Sequence, residues 1–75
     1  MYAASWCPDC RQARNFLLDR QIPFEEIDIE AHPEAVEFVK IANSGKRRIP
    51  TFDAGGRIFS CSPFDARKFA RELGV

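Results

Sequence analysis

Apolar and polar positions alternate along this chain with two periods, and the changes between them mark its elements. Met1 to Ala4 is a short, mildly apolar run with room for the last residues of a strand. From Pro8 to Arg20, Cys10, Ala13 and Leu17 repeat at helical spacing with Phe16 alongside, while Arg11, Arg14 and Asp19 take the polar side. Gln21-Ile22-Pro23 closes this helix, because proline disfavours helical geometry in the residue before it. In Phe24 to Ile29 the period shortens, and Ile27 and Ile29 share one face of a strand.

His32-Pro33 opens a second helix whose stripe is Ala35, Phe38, Val39 and Ala42. Asn43-Ser44-Gly45 ends it, with Gly45 expected in the left-handed conformation. Beyond a basic Lys46-Arg47-Arg48 loop and Ile49-Pro50, Thr51–Asp53 and Arg57–Cys61 read as two strands. Ala54-Gly55-Gly56 makes the hairpin between them. Ser62-Pro63-Phe64-Asp65 predicts a helix start, with Ser62 as N-cap, Pro63 at the first helical position and Asp65 reaching back as in a capping box. Ala66, Phe69, Ala70 and Leu73 line its buried face, and Gly74 stops it. The order predicts a parallel strand–helix–strand unit, then an antiparallel hairpin and helix. Together they make an α/β fold with a four-stranded mixed sheet, three helices and a short first strand.

Composition narrows the classes of function. A chain of 75 residues makes one small domain, residues 1–75, and at 45% hydrophobic with seven Phe it is expected to pack rather than stay disordered. Eleven basic and eleven acidic residues cancel, so no overall field draws in nucleic acid or a membrane surface. No apolar run approaches the roughly 20 residues of a membrane helix, and the start lacks the regions of a signal peptide. Three cysteines in such a chain point to a reducing compartment, the cytoplasm by default.

The candidate chemistry is in Trp6-Cys7-Pro8-Asp9-Cys10. Two cysteines separated by two residues close a small disulfide ring and reopen it, as a dithiol exchanger requires. Pro8 and Asp9 suit the first turn of a helix, one for its fixed backbone and the other for its charge at the positive dipole end. Cys7 then falls at the helix N-terminus, where free N–H groups stabilise a thiolate, and Cys10 lies one turn in and more enclosed. The asymmetry makes Cys7 the attacking sulfur and Cys10 the resolving one.

Over essentially its whole length the chain resembles the glutaredoxins, small proteins of the thioredoxin fold. WCPDC at a helix start, Ile49-Pro50-Thr51 about forty residues on and the closing hairpin and helix carry the resemblance. Asn43 to Thr51 and Ser62-Pro63 are similar to the branch that includes the mycoredoxins. The resemblance implies a thiol–disulfide oxidoreductase acting on protein disulfides or mixed disulfides through a redox-active Cys7–Cys10 pair. It also implies a cis-Pro50 facing Cys7, with the Ile49 backbone free to pair with an extended substrate. Trp6, Pro8, Lys46 and Arg48 complete the implied substrate surface, the cations beside Arg47 meeting a carboxylate-bearing thiol. No tightly bound cofactor or metal is implied. The implied partners are disulfide-containing proteins, a low-molecular-weight thiol such as glutathione or mycothiol as reductant, and a flavoprotein reductase, with the protein acting as a monomer. The chain departs from the family in three places: its short first strand, Asp9 where Tyr is common, and Phe59-Ser60-Cys61-Ser62 where many members carry Gly-Gly.

Other readings of the same residues stand beside this one. Cys7 and Cys10 could form a structural disulfide, or join Cys61 and His32 as a zinc set, although that spacing matches no standard ligand pairing. An iron–sulfur carrier using Cys7, or a non-catalytic binding module on the same fold, are the alternatives at the level of function. Cys61 reads as a small packing residue, and Phe16, Phe38, Phe52 and Phe69 as core.

Overall fold

The stripe Cys10–Ala13–Leu17 is the face by which the first helix lies on the sheet, and all three residues are buried. A computed structural model describes residues 1–75. Its elements are β1 (Tyr2–Ala3), α1 (Pro8–Asp19), β2 (Ile27–Asp28), α2 (Pro33–Ala42), β3 (Thr51–Ala54), β4 (Arg57–Ser60) and α3 (Ala66–Leu73). The strands form one four-stranded sheet in the order β2-β1-β3-β4. β1 runs parallel to β2, with Tyr2 opposite Ile27, and antiparallel to β3, with Tyr2 opposite Thr51. β3 and β4 pair antiparallel from Thr51–Ser60 to Ala54–Arg57. This is the βαβ–ββα thioredoxin arrangement expected from the sequence, its first strand two residues long.

Alternation along the strands assigns the helices to faces. Tyr2 stacks on Phe38 of α2 at 4.8 Å between ring centres, and Thr51, directly across from Tyr2, is bonded by Asn43 at the end of α2. Phe52, the next residue, points the other way and packs on Phe69 of α3 at 4.7 Å. Phe16 of α1 meets the same Phe69 at 5.0 Å. One face of the sheet therefore carries α1 and α3, and the other carries α2. Phe69 is fully buried at the centre of a group completed by Phe59 and Phe64.

Gly55 and Gly56 both have positive φ, the geometry a two-residue hairpin turn needs to match strand twist, and the Gly56 N–H donates to Asp53 Oδ1 at 3.0 Å. At the end of α2, Ser44 is the first left-handed residue and Gly45 the second, with the Gly45 N–H donating to the Lys40 carbonyl.

Several expectations are corrected. The second strand is confined to Ile27–Asp28, because β1 offers only Tyr2 and Ala3 as ladder partners and Phe24 to Glu26 have none. Ala42 and Ala66 are exposed, one in the last turn of α2 and the other at the first position of α3. Ser62 is not a helix cap, nor is Pro63 the first helical residue. Asp65 caps α3 itself, accepting the Arg67 and Lys68 N–H groups at 3.0 and 3.2 Å. The Ser62 hydroxyl is turned instead toward α1, where it donates to Asp9 Oδ2.

Two ion pairs tie elements together. Arg57 of β4 reaches Glu72 of α3 at 2.8 Å. Arg14 of α1 holds Glu26, just before β2, with two bonds, the Nε–Oε1 distance being 2.7 Å. The pairing with Arg14 pushes the Glu26 carboxyl below its ordinary range. A depressed carboxyl contributes stability above its unfolded pKa and loses it as pH falls through the folded one. Glu26→Gln is therefore expected to cost about 0.5–1 kcal/mol at neutral pH. In urea titrations the gap to the parent should close as pH falls below about 4.5.

Candidate active site

Cys7 has extended backbone geometry and occupies the N-cap of α1. A helix start leaves N–H groups without partners, and proline at the first position removes one of them. Cys7 Sγ takes another, accepting the Cys10 N–H at 3.1 Å. A sulfur thus does the work usually given to a Ser or Asp oxygen. Cys10 is fully enclosed beneath it, while Cys7 keeps 6% of its surface exposed. Burial, then the hydrogen bond to the Cys7 sulfur, pushes the Cys10 thiol up to about 12, with the Ala4 backbone and the Arg14 charge working against the rise. The outer sulfur has one N–H donor, and the inner one holds its proton. No disulfide joins any of the three cysteines.

A second wall is built from Ile49 and Pro50. The Ile49–Pro50 peptide is cis, as the resemblance implied, and both side chains are buried. Thr51, also fully buried, fixes this loop from behind. Its hydroxyl donates to the Arg48 carbonyl at 2.6 Å and accepts from Asn43 Nδ2 at 3.0 Å, and the same amide donates to the Val39 carbonyl. The Ile49 N–H and C=O make no hydrogen bond within the chain, so this backbone is free to pair with an extended segment. Cys7, Cys10, Ile49 and Cys61 all belong to one buried cluster.

The third wall is not legible in the sequence. Asp9 lies in the first turn of α1, as its charge at the dipole end led one to expect. Its carboxylate also accepts the Phe64 N–H at 3.0 Å and the Ser62 hydroxyl at 3.3 Å. The same segment reaches the second wall, since the Cys61 N–H donates to the Pro50 carbonyl at 3.1 Å. The partners of Asp9 lie 53 and 55 positions away, and no local pattern announces such a pairing.

The remaining candidates surround these walls. Trp6 is 61% exposed, and its indole N–H donates to Glu30 Oε1 at 2.9 Å, which fixes one edge and leaves the ring open. Pro8 is exposed at the first position of α1. Lys46, Arg47 and Arg48 are exposed, and their side chains have no ion-pair partner in the chain. Cys61 is enclosed, its thiol facing the Asp65 carbonyl at 3.9 Å, a packing position. His32 stands apart at the N-cap of α2, beside Glu34. Two concavities, of about 440 and 350 Å³, open elsewhere on the molecule, and neither is lined by a cysteine.

The glutaredoxin family model matches residues 1–59. A protein of Mycobacterium tuberculosis that carries the glutaredoxin name is 39% identical over 51 residues, 68% of this chain and 61% of its own length. The chain thus spans under two thirds of that relative. Mycoredoxin 1 of Corynebacterium glutamicum is 32% identical over 71 residues, 95% of this chain and 87% of that protein. A glutaredoxin-like protein of Lactococcus lactis is 32% identical over 60 residues, 80% and 81% of the two chains.

The geometry separates the three thiols by access. Iodoacetamide at about pH 7 under reducing conditions should add once to the folded protein, at Cys7. Cys10 and Cys61 should react only after denaturation, and peptide mass spectrometry reads the site directly.

Proposed function

The chain belongs to the glutaredoxin family, and on that premise we propose that it is a thiol–disulfide oxidoreductase whose working pair is Cys7 and Cys10. The observation that carries the reading is the capping of α1 by the Cys7 sulfur, with the protonated Cys10 enclosed one turn behind it. Such a cap supplies the N–H donor that a thiolate needs, and the thiolate is the form that attacks.

The exchange runs in two steps. The Cys7 thiolate attacks one sulfur of a substrate disulfide, forming a mixed disulfide and releasing the other sulfur as a thiolate. Cys10 then loses its proton and attacks the Cys7 sulfur, forming the Cys7–Cys10 disulfide and releasing the second substrate thiolate. The substrate gains two electrons and the protein loses two. The order is favoured by the pair itself. While Cys7 is a free sulfur, its hydrogen bond and charge help hold the proton on Cys10. Once Cys7 is bonded to substrate its charge is gone. Burial and the opposing Arg14 charge then remain, and the proton leaves more readily.

Extended substrate backbone pairs with the free N–H and C=O of Ile49 beside Pro50, and the open Trp6 ring covers the approaching disulfide. Lys46 and Arg48 meet carboxylates of the substrate thiol. Substrates are disulfide-containing proteins and mixed disulfides of a low-molecular-weight thiol. Glutathione resets the pair, or mycothiol, to which the likeness to mycoredoxin 1 adds weight. A flavoprotein reductase regenerates that thiol. No helix is long and apolar enough to cross a membrane. A reducing compartment such as the cytoplasm suits three unpaired thiols.

The test is turnover of a peptide–glutathione mixed disulfide and its mycothiol counterpart, each with its own thiol and reductase. Activity is expected with at least one, to vanish in Cys7→Ser and to survive in part in Cys10→Ser. A folded parent inactive with both, and inactive on protein disulfides with a thioredoxin-type reductase, would falsify the reading.

A further inference from the structure

Asp9 stands between the two cysteines and takes no part in the exchange steps. Side chains in the first turn of a helix lean back toward its N-terminus. The Asp9 carboxylate follows that direction and leaves its own helix for Phe64 N–H and the Ser62 hydroxyl. The segment that holds it is itself fixed. The Cys61 N–H is bonded to the Pro50 carbonyl, and the Phe64 ring packs on Phe16 and Phe69. The carboxylate is half-buried, has no cationic partner, and cannot swing away without breaking both bonds. The unpaired cations Lys46, Arg47 and Arg48 belong to the loop before Ile49, on the second wall.

The geometry points to Asp9 as a specificity-determining residue, a pinned and unneutralised carboxylate within one helical turn of the Cys7 sulfur. It disfavours anionic partners that approach along the Ser62–Phe64 wall and favours those that present neutral or cationic donors there. The favoured small-thiol disulfide is therefore asymmetric. Hydroxyl or ammonium groups flank its sulfur on the Asp9 side, and any carboxylate points toward Lys46 to Arg48. This substrate preference rests on the exchange reading above, whereas the local charge effect does not.

Two alkylating reagents separate charge from structure. Iodoacetamide is neutral and iodoacetate anionic. In both, the thiolate carbon–sulfur bond forms as iodide leaves, so their rate ratio at Cys7 reports the local field. Removing one nearby negative charge is expected to raise the iodoacetate-to-iodoacetamide ratio about threefold to tenfold in Asp9→Asn at low salt. Asp9→Ser, which also removes the charge but keeps an acceptor, should raise it likewise. Ser62→Ala, which loosens the segment but keeps the charge, should leave it at the parent value. Equal acceleration or slowing of both reagents in the two Asp9 variants overturns the proposal, as does a rise in Ser62→Ala matching theirs. A second arm compares kcat/KM for mixed disulfides of one peptide with glutathione and with cysteamine. The glutathione-to-cysteamine ratio should rise in Asp9→Asn through KM. An unchanged ratio, with the alkylation ratio shifted, overturns the substrate preference. Parent protein inert toward both disulfides counts against the exchange reading, and the alkylation ratio then still decides the role of Asp9.

Discussion

A helix that follows directly on a central strand must find partners for its first N–H groups, and here a sulfur provides one. The bond from the Cys10 N–H to Cys7 Sγ fixes the backbone of the Cys7–Cys10 turn and sets one sulfur outside and the other inside, where burial and the Cys7 sulfur push the Cys10 thiol up. The geometry of α1 follows from that turn. Its buried face carries Cys10, Ala13 and Leu17 down to the sheet, and Phe16 on its flank meets α3. Helix capping and thiol reactivity are thus one interaction seen from two sides. A substitution that spoils the cap alters the sulfur, and a reaction at the sulfur alters the cap.

Support for this turn comes from the far half of the chain. Phe69 gathers Phe16, Phe52, Phe59 and Phe64 into a packed aromatic group that joins α1, α3 and the β3–β4 hairpin. Aromatic pairs at these separations add stability beyond the area they bury. From that unit the segment after β4 extends back to Pro50 and to Asp9. The three walls around Cys7 are therefore held by contacts between residues far apart in the chain, though each wall is itself short.

Much of this was legible in the sequence because the governing signals are local. The stripe of α1, the proline starts of α1 and α2, the Gly55-Gly56 turn and the C-x-x-C spacing each lie within one or two turns of chain. The cysteine pair was singled out from that spacing, whereas Ile49-Pro50 was singled out only through the resemblance to a known family. Ser62 was misassigned because such signals are local. A Ser-Pro pair three residues before an acid has the local form of a helix start, but Asp9, far upstream, competes for its hydroxyl and Asp65 is left to cap α3. The second strand was drawn too long because alternation in Phe24 to Ile29 reports an apolar face and not the presence of a neighbouring strand to pair with. Long-range hydrogen bonds and ladder length are properties of the assembled sheet, and one stretch of sequence does not encode them.

The Thr51 hydroxyl has a consequence for how partners are chosen. By holding the Arg48 carbonyl and the Asn43 amide, it anchors the loop that carries the Ile49 backbone. Almost none of the ordering needed for a strand-like encounter then falls on this side, and nearly all of it falls on the arriving chain. A disulfide in an already extended, constrained loop loses little freedom in docking, while one in a slack tail loses much more. On the proposed pairing of substrate with Ile49, this anchoring sorts target disulfides by the stiffness of the backbone that carries them.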